Sequence, residues 1–142
     1  AQTLQVPLPA EGGASICRAL DAYAYASALR VEKTDVWKTE LQGSGLLPVG
    51  MGDQTVPWRY VCRLPGLEWA DQYELGDRMR AAGLNVSHWY FPAHWMCGGY
   101  PGTLPGVERL AREVFQFWVD DSTTVDDIRT GARHIREILR GR

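Results

Sequence analysis

Residues 58–64 read WRYVCRL, and their alternation constrains the fold more than any other stretch of the chain. Trp58, Tyr60, Cys62 and Leu64 fall on one side of an extended backbone, and Arg59, Val61 and Arg63 on the other. Successive side chains of a strand point to opposite faces, so this strand has one face to bury. A layer must cover that face, and the next stretch supplies one. EWADQYELGDRMRAAG sets Trp69, Tyr73, Gly76, Met79 and Ala82 at helical spacing, with Gly83 as the stop. LNVSHWYF, β-branched and aromatic, then reads as a second strand.

The remaining segments extend the same plan. Residues 1–14, with two prolines and a Gly-Gly pair, are predicted to be an extended lead-in, and residues 15–142 one domain. From Ser15, a plausible N-cap, an alanine-rich run predicts a long helix to Leu41, with Ile16, Leu20, Tyr23 and Ser27 on one face. GSGLLPVGMGDQTVP is a glycine-rich connection. Thr103 is placed to cap a helix through Phe117, with Val107, Leu110, Ala111 and Val114 inward. Val125, Ile128, Ala132, Ile135 and Leu139 mark a final helix, capped by Thr123 and Asp126. The order of helix, strand, helix, strand, helix, helix implies an α/β (α+β) fold, a small open sheet with helices packed on it.

Composition excludes several function classes. Apolar residues make up 45% of the 142 and charged residues 23%, which places the chain among globular domains and not disordered ones. The net charge of −2, with no lysine-arginine run longer than a pair, gives no footprint for nucleic acid or an acidic membrane surface. No apolar stretch is long enough to span a membrane, and no signal-peptide pattern occurs. Cys17, Cys62 and Cys97 are far apart and odd in number, which points to a reducing, cytoplasmic setting. The start at Ala1 fits either methionine removal or a piece of something longer.

Chemistry-bearing residues concentrate in SHWYFPAHWMCGGY, residues 87–100. His88, His94 and Cys97 match no common zinc spacing, so no structural zinc is expected. Cys97 lacks an acid partner readable from the sequence. No G-x-S-x-G elbow occurs, and the glycine-rich stretches lack the strand-glycine-helix context of a phosphate cradle. Lys33 and Lys38, the two lysines of the chain, both lie in a charged helical stretch. The residues alone define no catalytic set.

The order of these features resembles a known family. WRYVCRLPG, then RMRAAGLNVSHWYFPAHWMCGGYPGTLPGVERLAREVF, then STTVDDIRTGARHIREIL, is similar to the C-terminal small domain of DegT/DnrJ-type aminotransferases. These are pyridoxal-phosphate (PLP) enzymes of fold type I, many acting on nucleotide-linked keto-sugars or cyclitols in biosynthesis. The family motif G-I-x-x-x-x-H-Y-x-P-x-H is met by Gly83 and Leu84 at its start and by Tyr90, Pro92 and His94 at its end. Its first histidine falls on Trp89, and His88 lies one position early, toward the other face of a strand. Leu104, Pro105, Glu108, Leu110 and Ala111 match the helix that follows, whereas Phe117-Trp118 replaces a later leucine-proline.

The resemblance implies that His88, Trp89, Tyr90, His94, Trp95 and Tyr100 line the substrate side or an interface. It also implies that a large domain, absent from this sequence, carries the Schiff-base lysine and most of the PLP site. The chain is then part of an aminotransferase, a non-catalytic descendant that binds or regulates a relative, or a small-molecule binding domain with an aromatic pocket. The first implies a large-domain chain as partner; self-association is the alternative. In either case the segment from Trp89 to Tyr100 is expected at the contact.

Overall fold

The computed structural model describes residues 10–50, 52, 55–88, 90–96 and 102–142. Its elements are α1 (Ala10–Glu40), β1 (Leu47–Pro48), β2 (Arg59–Arg63), α2 (Trp69–Ala81), β3 (Val86–Ser87), α3 (Ala93–Met96), α4 (Pro105–Glu113), β4 (Val114–Trp118) and α5 (Val125–Arg140). The strands form one antiparallel sheet in the order β1-β2-β4-β3. This is the expected α+β layer, with two strands more than periodicity alone indicated, β1 at one edge and β4 between the two expected strands.

The register of β2 on β4 gives the sheet two unlike faces. Tyr60 faces Phe117 and Cys62 faces Phe115, whereas Arg59 faces Trp118 and Val61 faces Gln116. Directly opposed residues share a face. The first set is buried under α1, α2 and α5, together with Trp37, Leu41, Met79, Ile128 and Ile135. The second set forms an open face. Trp37 lies over Phe117 with ring centroids 4.9 Å apart and beside Tyr60 at 6.2 Å. Its indole N–H donates to the Trp118 carbonyl at 3.4 Å. Gly131 of α5 makes room for this, since a Cβ there would strike Leu84 and come within 3.2 Å of the Trp37 ring.

β4 corrects the predicted helix through Phe117. The helix ends at Glu113, and the chain passes into the strand with no loop between them. Val107 and Leu110, predicted inward, are exposed. Two buried polar side chains hold this junction. Gln72 of α2 donates to the carbonyls of Ala111 and Val114, at 2.8 and 3.1 Å. The Glu113 carboxylate accepts from the Gly66 backbone N–H at 2.9 Å and from Arg63 at 3.1 Å. The Gln72 amide nitrogen and the Glu113 carboxylate thus make hydrogen bonds that fix where one element stops and the next begins.

Helix ends follow local chemistry. Gly83, with φ +84°, ends α2: its N–H bonds the Arg80 carbonyl and the Leu84 N–H that of Met79, a Schellman arrangement. The capping box of α5 sits one residue later than predicted, on Thr124 and Asp127 in place of Thr123 and Asp126. The β3 ladder is two residues long, shorter than the predicted strand LNVSHWYF. The glycine-rich connection contains β1.

α1 departs most from expectation. It begins at Ala10, so residues 10–14 of the predicted lead-in are helical. Ile16, Leu20 and Tyr23 do not rest on the domain, because every residue from 14 to 25 is exposed, whereas Ser27 is half-buried. The buried face is Lys33, Thr34 and Trp37, continued by Leu41. Residues 26–30 are partly covered, and from 25 back to 14 the helix is exposed all round.

The two described cysteines differ sharply. Cys17 is exposed on α1, and Cys62 is buried in the sheet, where burial pushes its thiol far above the ordinary value. Iodoacetamide should label exposed Cys17 in the native chain. Cys62 should react at least about a hundredfold more slowly until the chain is denatured. Mass mapping of the labelled peptides against time checks both.

Candidate functional site

The open face of the sheet, rimmed by α4 and the segment after β3, sets aromatic and basic side chains side by side. At one end, the Arg59 guanidinium lies between two indoles, 4.1 Å from the Trp58 ring centre and 4.3 Å from that of Trp118. Strand alternation puts Arg59 on this face and cross-strand pairing puts Trp118 beside it. Its Nη1 donates to the Ser87 hydroxyl at 2.6 Å, which ties β2 to β3 across β4. Cation–π contacts of this kind contribute about 0.5–2 kcal/mol each. They also hold a flexible side chain in one orientation, with Trp58 itself 65% exposed.

In the middle of the same face a pocket of about 270 Å³ opens, lined by Val61, Gln116, Tyr90, Pro92, Val107 and Leu110. Its walls are mainly apolar, and the Gln116 amide and the Tyr90 hydroxyl are the polar groups among these six. At the far end Arg63 pairs with the buried Glu113. A surface of this kind can seat a ligand or a partner with an apolar body and an anionic group. Among the described residues it holds no nucleophile paired with a base.

The residues singled out from the sequence separate into three places. Tyr90 lines the pocket of the open face. His94 and Trp95 lie on α3. The Nε2 of His94 is 2.9 Å from Glu108, and Trp95 packs at 5.4 Å on Trp69 of α2. The Leu104 backbone N–H and then His94 hold the Glu108 carboxyl below its usual range. His88 is 1% exposed, inside the core between Tyr73, Phe115 and Gly76. It is therefore a packing residue, not a substrate-side or interface one, because its register directs it to the helix-covered face. Trp89, Tyr100 and Cys97 lie outside the described residues. Arg59, Trp58, Trp118, Ser87 and Gln116 went unnoticed as a group. Alternation in WRYVCRL had already placed Arg59 outward, but the strand beside it was not recognised.

His88 has a pH consequence. Burial first, and then the neighbouring Arg80 charge, lower its pKa, while Asp77 pulls the other way. Its Nδ1 is 3.2 Å from the Arg80 guanidinium. An unfolded histidine titrates near 6.5. Above that value neither state binds the proton and stability is full. As pH falls through it, the unfolded chain takes a proton that the native chain resists, so stability drops. Thermal melts at pH 7.5 and 5.5 should show a lower Tm at 5.5. In His88→Gln that difference should shrink, whatever the variant's own Tm.

His88 and His94 have separate partners, and no cluster of three or more His, Cys, Asp or Glu side chains suited to a metal occurs among the described residues. No described helix is long and apolar enough to cross a membrane.

No family model and no curated protein matches the sequence. Solved structures do match. A sugar aminotransferase of Streptococcus pneumoniae, Spr1654 in its PMP form, superposes with a TM-score of 0.77 at 14% identity, over 86% of this chain and 33% of that one. For 3-amino-5-hydroxybenzoic acid (AHBA) synthase the values are 0.75 and 18%, over 100% of this chain and 43% of that one. For Helicobacter pylori PseC, an aminotransferase involved in pseudoaminic acid biosynthesis, they are 0.78 and 9%, over 87% and 35%. Likeness at these identities is likeness of fold. The chain has the fold of one part of these aminotransferases and spans only 33–43% of their length.

Proposed function

We propose that this chain is the C-terminal small domain or subunit of a PLP-dependent aminotransferase of the DegT/DnrJ type, acting on a keto-sugar or cyclitol in a biosynthetic pathway. It works only with a lysine-bearing large domain. The observation that carries the reading is the match of nearly the whole chain to part of several aminotransferases, two of them sugar-directed or biosynthetic by description. The order of motifs in residues 58–140 supports it independently.

The residues present do not fit PLP by themselves. Lys33 is buried and donates to the Asp120 carbonyl at 2.7 Å, and Lys38 is paired with Asp35 on the surface at 2.9 Å. Lys38 borders a shallow pocket with Thr34 and Thr55, but its amine is held by Asp35, and that of Lys33 by a backbone carbonyl, so both are committed elsewhere. PLP supplies the electron sink for amino transfer, and the groups that hold it must come from elsewhere. In this reading the chain contributes a wall. Arg59, Gln116 and Tyr90 face the substrate, and α3 with Trp95 lies at the rim of the domain contact. Free Cys17 and Cys62 accord with a reducing, cytoplasmic setting.

The chain alone, given PLP and then borohydride, should acquire no site-selective pyridoxyl label on Lys33 or Lys38 and should show no transaminase turnover. Stoichiometric labelling of either lysine, with turnover, would overturn the reading. Association with a complete aminotransferase that changes that enzyme's rate, without turnover of its own, would favour a regulatory descendant.

A further inference from the structure

Another hollow, of about 380 Å³, lies where β4 stops and the turn after α2 meets α5. It shares no described lining residue with the pocket of the open face. Its floor is apolar: Gly131 carries no side chain there, and Leu84 and the Cη2 edge of Trp37 close in beside it. Its rim is polar, and three separate stretches supply it. Asp127, Thr130 and His134 stand along one face of α5 at steps of three and four residues. Asn85 follows the sharp turn at Gly83, and Ser122 and Thr123 come from the link between β4 and α5.

Parts of this rim are held in place. Asp120 Oδ1 accepts from the backbone N–H and the hydroxyl of Ser122, at 3.0 and 2.6 Å, which fixes the link. Asp127 Oδ2 accepts from the N–H and the hydroxyl of Thr124, at 2.9 and 2.6 Å. The hydroxyl first, and then the N–H, hold the Asp127 carboxyl below its usual range, so it is an anion at neutral pH.

The charge of the hollow is one-sided. Asp127 is a carboxylate on its rim, and no lysine or arginine lines it among the described residues. The stretch VDDSTTVDD adds Asp120, Asp121 and Asp126 nearby in the chain. A bound anion would meet no cation here, whereas a bound cation would meet Asp127. The neutral groups of the rim, one amide and three hydroxyls, suit hydroxyl groups, which both donate and accept. The volume falls at the lower end of ligand pockets, roughly 300–1,000 Å³, which suits a single ring.

We infer that this hollow is a binding site for a small hydroxylated amine, one ring that carries an ammonium group beside hydroxyls. The ammonium pairs with Asp127, the hydroxyls bond Asn85, Thr130 and the link, and the C–H face of the ring rests on Leu84 and Trp37. The site goes beyond the aminotransferase reading and does not depend on it, because no residue of the open-face pocket enters it.

Nuclear magnetic resonance titration of the full chain at pH 7 tests this with glucosamine, glucose and cyclohexylamine. Glucosamine carries both features, and each of the others carries one. Saturating shifts are expected at the amides of Asn85, Thr130 and Gly131, with glucosamine at least about tenfold tighter than either of the others. Thr130→Arg puts a cation on the rim at an exposed helix position, where arginine favours the helix at least as well as threonine. It should weaken glucosamine binding by at least about tenfold, with an unchanged circular dichroism spectrum. Asp127→Asn keeps an acceptor for Thr124 but not the charge, and should bring glucosamine down to the level of glucose. Glucosamine shifts that never saturate, that centre on other residues, or that survive Thr130→Arg overturn the site. Glucose or cyclohexylamine binding there as tightly as glucosamine overturns the ligand class. Neither PLP nor turnover enters the readout, so both results leave the aminotransferase reading as it stands.

Discussion

Gly76→Ala should lower stability by about 3 kcal/mol, enough to move Tm by roughly 10 °C in a chain of this size. The sign runs against ordinary helix propensity, by which alanine in place of glycine stabilises a helix by about 1 kcal/mol. Packing reverses it. A Cβ on Gly76 would collide with Cε1, Nδ1 and Cγ of the His88 imidazole. The ring has nowhere to go, since Tyr73 meets its edge, Phe115 lies beside it, and Arg80 holds Nδ1. Thermal melts of the single variant and of Gly76→Ala in a His88→Ala background separate the two effects. In the second background the added methyl has room and should be neutral or stabilising. A single variant as stable as the parent would sink the argument.

Trp37→Ala should cost more, about 4 kcal/mol. Its ring overlaps Phe117 and Tyr60, and its N–H satisfies a backbone carbonyl at the end of β4. Removing it empties the centre of the contact between α1, the sheet and Gly131 of α5. Urea unfolding should show the loss as a lower midpoint, and amide exchange along the remainder of α1 should quicken, because its main anchor is gone. Trp58→Ala is the control. That indole is largely exposed, so its removal should change stability by less than about 1 kcal/mol. Equal losses from the two substitutions would mean that the core is not organised around Trp37.

These residues also mark how far the sequence could be read. The alternation of WRYVCRL gave the correct faces for Tyr60, Cys62 and Leu64, and the spacing after Val125 gave α5, because both signals are local. Trp58, expected on the buried side, precedes the ladder and is instead exposed against Arg59. β4 was hidden for a physical reason. Val107, Leu110, Ala111 and Val114 keep helical spacing up to the junction, and no glycine or proline marks the change. What ends the helix is remote: Gln72 and Glu113 satisfying backbone and side-chain groups from elsewhere in the fold. Residues 114–119, β-branched and aromatic except for Gln116, were the one readable hint. The stripe from Ile16 to Ser27 was seen as a face, but amphipathic spacing does not say whether the cover is the same domain or another. The cluster around Arg59 required knowing β4, and so was lost with it. His94 was legible as a site candidate, whereas its pairing with Glu108 depends on how α3 meets α4.

The central ladder of the sheet joins residues about fifty to sixty positions apart, with α2 lying between them in the chain. Helices can form from neighbours, but this ladder cannot begin until a long loop has closed, and that entropy is spent before any hydrogen bond is gained. Folding speed should therefore be set by the meeting of β2 with β4, not by the helices that make up most of the chain. On a ribosome adding about 5–20 residues per second, the two strands emerge roughly 3–10 s apart. Through that interval Tyr60 and Cys62 wait without Phe115 and Phe117, and the nascent chain carries an unpaired apolar strand. The two-residue strands β1 and β3 at the sheet's borders limit what a finished molecule can add to itself, but they protect only after the wait is over.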